Sequence, residues 1–150
     1  MSPVQANSPM LYETDYLQWI ETTVEQLQQR DYAQVDWVNL IDEIADMGKR
    51  ERRSLKSNFI VVLLHLLKWQ YQPECRSGSW EGSILEHRRR VNDALADSPS
   101  LRPYLEEIFE ECYTQAVKQA KAETGLPMKT FPQQCPFQLT QVLADDFLPE

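Results

Sequence analysis

Between Phe59 and Leu67 the chain reads FIVVLLHLL, an apolar run broken only by His65. No other stretch constrains the fold so tightly. The run sits in a segment from about Lys49 to Tyr71 that predicts one helix, stopping before Pro73 because the residue ahead of a proline is pushed out of the helical region. The first half of that helix is amphipathic and the second half is apolar on every side. A helix without a polar face has to be surrounded by other elements, so this one belongs at the centre of a bundle, with its N-terminal turns emerging into water. A membrane span needs roughly 20 apolar residues. This run is about half that and is followed at once by Lys68, so no membrane is expected.

Companion helices follow from spacing and punctuation. Only four glycines stand against nine prolines, and the prolines fall between apolar-periodic stretches, which favours long helices with firm stops over strands and tight turns. Asp15 suits the N-cap of a helix carrying Leu17, Ile20, Val24 and Leu27 on an apolar stripe. Asp36 suits the cap of a second, with Leu40, Ile41, Ile44 and Met47 on one side. Gly48 either ends that helix or merely weakens it. Ser79 is the expected cap of a helix with Trp80, Ile84, Val91 and Leu95 inside. A helix from about Pro103 buries Leu105, Ile108, Phe109, Cys112 and Ala116, and ends at Gly125. The tail FPQQCPFQLTQVLADDFLPE reads as an apolar arm wrapped on the bundle, with a short helix near Leu139 to Ala144. The expected architecture is all-α: about five helices around the apolar helix at about 49–71. A flexible leader over residues 1–10 precedes a single domain over 11–150.

Charge is segregated. The net charge is −8, which argues against a uniformly basic nucleic-acid binder. Yet Lys49 to Arg90 holds ten Lys and Arg against four Asp and Glu, while the rest of the chain holds five against nineteen. Within this basic segment Lys49, Arg52, Arg53 and Lys56 share one helical face, and Arg76, Arg88, Arg89 and Arg90 are its neighbours in sequence. Arg dominates over Lys, which suits fixed contacts to carboxylate or phosphate. Such a surface could pair with the acidic remainder of the same molecule, meet an acidic protein partner, or bind nucleic-acid phosphates.

Catalytic signatures are absent. There is no G-x-S-x-G and no phosphate-cradling glycine loop. Cys75, Cys112 and Cys135 are odd in number, widely spaced and without a C-x-x-C, a pattern suited to a reducing cytoplasm rather than a disulfide framework. His65, His87 and Cys112 fall on the inner faces of three helices, which is how a bundle can build a metal site, with Glu43 as a fourth ligand. No H-e-x-x-H or Glu-x-x-His spacing supports it, and the plainer role of both histidines is that of hydrogen-bonded core imidazoles.

The ordered motifs HLLKWQYQP, SW, SPSL, ETGL, FPQQCPF and DDFLP resemble the bacterial domain-of-unknown-function family 29 over roughly Leu11 to Glu150. The resemblance implies an all-helical, single-domain cytoplasmic protein; it implies no activity and carries over no catalytic residue. The expected function is therefore a non-catalytic helical interaction or regulatory protein with a protein partner and no cofactor. A nucleic-acid-associated, antitoxin-like factor and a metal-dependent enzyme using His65 and His87 are the alternatives.

Overall fold

The computed structural model describes residues 9–150, which form helices joined by short connections, with no strand among them. The helices are α1 (Pro9–Thr14), α2 (Tyr16–Gln28), α3 (Trp37–Tyr71), α4 (Gly78–Asp97), α5 (Leu101–Thr124) and α6 (Leu139–Leu143). Single 3-10 turns lie at Tyr32–Gln34, Pro73–Cys75 and Met128–Thr130. The expected leader falls mostly outside the described residues; Pro9 and Met10 already belong to α1. Two compact units divide the chain, one ending at Lys49 and the other running from Arg50 to Glu150. Helix α3 contributes to both.

The first unit is a helical hairpin with an unusual interior. Asp15 caps α2 by accepting from the Gln18 N–H at 3.1 Å, as expected. The stripe expected to be buried is only half covered. Leu17 is 63% exposed and Val24 47%, while Trp19, Thr23 and Gln26 are buried at i, i+4 and i+7. The reason is polar fastening. The Trp19 indole N–H donates to Asp36 Oδ2 at 3.2 Å, and Asp36 also accepts from the Asn39 backbone and amide side chain at 3.3 and 2.7 Å, capping α3. The two oxygens of Glu43 accept from the Tyr12 and Tyr16 hydroxyls, the latter at 2.6 Å. These contacts fix which side of α2 faces inward, leaving Leu17 and Val24 in water and Ile20 and Leu27 half-buried. A Schellman motif ends α2, with the Arg30 N–H on Leu27 O and the Asp31 N–H on Gln26 O. Its left-handed position, φ 59°, is held by arginine where glycine is usual.

Gly48 does not end a helix. The expected second helix and the expected helix at 49–71 are one continuous α3, because a glycine costs a helix only about 1 kcal/mol, against about 3 for proline. From Ile44 to Ser54 every residue of α3 is exposed, so these turns are held mainly by their own backbone hydrogen bonds.

In the second unit the apolar run behaves as its composition requires. Val62, Leu63, Leu64, Leu66 and Leu67 are all at most 2% exposed, covered in every direction. Ile84 and Val91 of α4, Leu105, Cys112, Ala116 and Ala120 of α5, and Phe131, Phe137 and Val142 of the arm complete this core. Ser77, two residues before the expected cap, starts α4 by accepting from the Trp80 N–H at 3.3 Å. Gly125 ends α5 at φ 74°, and α6 forms at Leu139–Leu143 as the sequence predicts.

Candidate functional site

The basic segment does not stay together as one surface. Lys56 pairs with Glu111 of α5 at 2.6 Å, and that carboxylate raises its pKa. Arg89 and Arg90 pair along their own helix with Glu86 and Asp93, exposed pairs of small energetic value. Arg76 donates from Nε to Trp69 O at 2.8 Å with its guanidinium 5.0 Å from the Trp69 ring centroid. Arg52 lies 5.6 Å from the centre of the Tyr104 ring. Lys49 and Arg53, with Arg50 between them, are exposed and make no ion pair among the described residues.

Arg88 is different in kind. It is 2% exposed, and its guanidinium reaches out of α4 into the C-terminal arm. Nε donates to Val142 O at 2.7 Å, Nη2 to Phe147 O at 3.1 Å and Nη1 more weakly to Asp145 O at 3.4 Å. Burial lowers its pKa, opposed by the carboxylates of Asp145 and Asp146. A planar fork with fixed donors serves several carbonyls at once, which a lysine cannot do. The neighbouring Asn92 amide adds a bond to Leu143 O at 3.0 Å. Arg88 is therefore a fastener of the arm, not part of an accessible binding surface.

The histidines are satisfied locally. Each uses Nδ1 on the carbonyl one turn earlier, His65 on Val61 O at 2.9 Å and His87 on Ser83 O at 2.8 Å. Burial lowers the His65 pKa, and the charges of Lys68 and His87 push the same way. Lys68 itself is buried, paired with Glu123 at 2.9 Å and 4.6 Å from the Trp80 ring centroid. The contact with Lys68 holds the Glu123 carboxyl below its usual range. Among the described residues no three His, Cys, Asp or Glu side chains gather where one metal ion could be held, so His65, His87, Cys112 and Glu43 form no common site. Cys112 is fully buried and its thiol is pushed up to about 11 by desolvation, which makes it a poor nucleophile at neutral pH.

What the sequence reading missed is an apolar surface on the hairpin. Val38, Ile41, Ile44 and Met47 of α3 are 73%, 61%, 59% and 56% exposed. Their spacing of three makes them one i±3n ridge, which winds over roughly half the helix circumference. Leu17 and Val24 of α2 are exposed as well. The periodicity was visible in the sequence, but it marks which residues share a face and not whether that face is covered.

The family model described as Domain of unknown function DUF29 matches residues 11–148. The chain belongs to the DUF29 family. That agrees with the resemblance carried by its motifs and with the helical architecture; the name assigns no activity. No curated protein and no solved structure matches the chain. No described helix of this DUF29 protein is long and apolar enough to cross a membrane.

Proposed function

We propose that this DUF29 protein is a non-catalytic cytoplasmic interaction module that docks a protein partner on its N-terminal hairpin. One observation carries the reading: two helices whose periodicity calls for burial leave Leu17, Val24, Val38, Ile41, Ile44 and Met47 in water. Covering a side chain of this size contributes about 1.5–3 kcal/mol, so the ridge of Val38, Ile41, Ile44 and Met47 is a strong driving force awaiting a surface. Clusters of exposed large apolar groups with a polar rim mark interaction sites.

Charge says what that surface is like. Among residues 10–49 nine carboxylates, including Asp42, Glu43 and Asp46 beside the ridge, face only Arg30 and Lys49 as cations. Two copies of this hairpin would bring like charges together, whereas a partner with an apolar groove and a basic rim is attracted at long range. The partner is therefore a basic-rimmed protein surface.

The test is capture from native extract with and without nuclease, followed by titration of the purified captured protein. Ile41→Asp with Ile44→Asp should abolish binding while the far-ultraviolet circular dichroism stays helical, and wild-type binding should weaken with salt. Undiminished binding by the double variant refutes the reading, as does concentration-dependent dimerisation of the pure chain through the same residues. The exposed, unpaired Lys49, Arg50 and Arg53 favour a second reading, binding of nucleic acid. It predicts capture that is lost on nuclease treatment and on charge reversal of those three residues.

A further inference from the structure

A cavity of about 690 Å3 opens between α5 and the segment that follows it. It owes its existence to Gly125: the left-handed turn there ends α5 and returns the chain, so that Met128 and Phe131 come back over Val117. The Tyr113 hydroxyl fixes the return by donating to Pro132 O at 2.5 Å. Phe131, Val117 and Tyr113 are buried and make an apolar floor, and Met128, 45% exposed, makes a flexible apolar wall. Volumes of about 300–1,000 Å3 are those of small-molecule sites.

The charges around this cavity are one-sided. Among the described residues its only ionic lining groups are Lys118 and Lys129. Both are exposed, and neither makes an ion pair among the described residues. In a chain with 23 acidic and 15 basic side chains, two ammonium groups without an ion pair line this apolar hollow, and no carboxylate joins them among the described residues. An apolar body with one negative end satisfies both halves of it: the body displaces water from Val117, Met128 and Phe131, and the anion offsets the unpaired lysine charge.

We propose that this cavity binds small amphiphilic carboxylates, of the medium-chain fatty-acid type. Flexible methionine beside rigid aromatic rings suits a chain that is apolar but not fixed in shape. The site is independent of the docking ridge on the hairpin.

Decanoate and decanol, titrated calorimetrically into the whole protein, separate the two contributions. Decanoate should bind saturably at one equivalent and more tightly than decanol. Lys118→Gln with Lys129→Gln should weaken decanoate about tenfold, the effect of losing two partly exposed ion pairs, while leaving decanol unchanged. Met128→Glu, on an exposed side chain whose replacement leaves the core intact, should weaken both. Absence of saturation, equal affinity for the two probes, or wild-type decanoate binding by the double lysine variant each overturns the proposal.

Discussion

Replacing Arg88 by methionine tests how firmly one buried side chain fastens the C-terminal arm. Methionine keeps much of the packed stem but removes every donor. The carbonyls of Val142 and Phe147, served at 2.7 and 3.1 Å, then have no partner; the contact to Asp145 O at 3.4 Å is already weak. Hydrogen bonds to a charged group contribute about 1.5–3 kcal/mol each, so two of them set a scale of about 3–6 kcal/mol. Some of that is returned, because burying the guanidinium carries its own desolvation cost. The arm also has an escape, since it can lift off and rehydrate its carbonyls. Lifting exposes Phe137 and Val142, at about 1.5–3 kcal/mol apiece. The net expectation is a loss of about 2–4 kcal/mol, a large share of the roughly 5–15 kcal/mol that holds an ordinary domain. Arg88→Lys should recover little of it, because one ammonium cannot face carbonyls in different directions. Asn92→Ala, which removes one neutral bond to Leu143 O, should cost about 1 kcal/mol. Urea unfolding gives the stabilities, and amide hydrogen exchange across 137–147 reports whether the arm is released. A loss under about 1 kcal/mol with the arm amides still protected would refute the fastening role.

Other expectations concern backbone, protonation and thiols. Arg30→Gly should stabilise the hairpin by about 1 kcal/mol, because it relieves a left-handed arginine; Gly48→Ala should add about 0.5–1 kcal/mol, since an added Cβ meets nothing within 4 Å. Both are read from thermal or urea midpoints. Because burial lowers the folded His65 pKa below its ordinary 6.5, the unfolded chain takes up the proton first. The contribution of His65 is therefore full above pH 6.5 and falls as pH drops through that value toward the folded pKa. His65→Leu should flatten this upper limb only. The lower limb belongs to Glu123, whose stabilisation is present above its unfolded 4.5 and is lost as pH falls toward its depressed folded value. With a thiol-specific chromogenic reagent, Cys75 should react quickly. Cys112 and Cys135 are both pushed up to about 11 by burial; the half-buried Cys135 should react slowly, and the fully buried Cys112 only on unfolding.

The elements legible in the sequence are those decided locally. Asp15, Pro73 and Gly125 act within a turn of themselves, and the apolar run at Phe59 to Leu67 could only be enclosed. Three features were hidden for distinct physical reasons. Continuity through Gly48 turned on a penalty small enough for the flanking turns to overcome. The orientation of α2 was set by Asp36 and Glu43, polar partners 17 to 31 residues away from the aromatic groups they hold. Arg88 looked like its neighbours Arg89 and Arg90 because its acceptors are main-chain carbonyls, which leave no mark in a pattern of side chains. The candidate sites divide in the same way. The basic cluster was visible as composition, but its dispersal into pairs and ring contacts was not. Lys118 and Lys129 became neighbours of one cavity only through the reversal at Gly125.

The arm's fastening also sets an order of events during synthesis. Arg88 is made 59 residues ahead of Phe147, the last carbonyl it serves. At translation rates of about 5–20 residues per second that gap lasts roughly 3–12 s. Throughout it the guanidinium keeps its water and the inner face of α4 cannot finish closing, although α3 is already made and α4 and α5 are completed within it. The second unit is thus built to remain open until its final acceptors arrive, with the run from Phe59 to Leu67 as the surface that nascent-chain chaperones would meet in the interval.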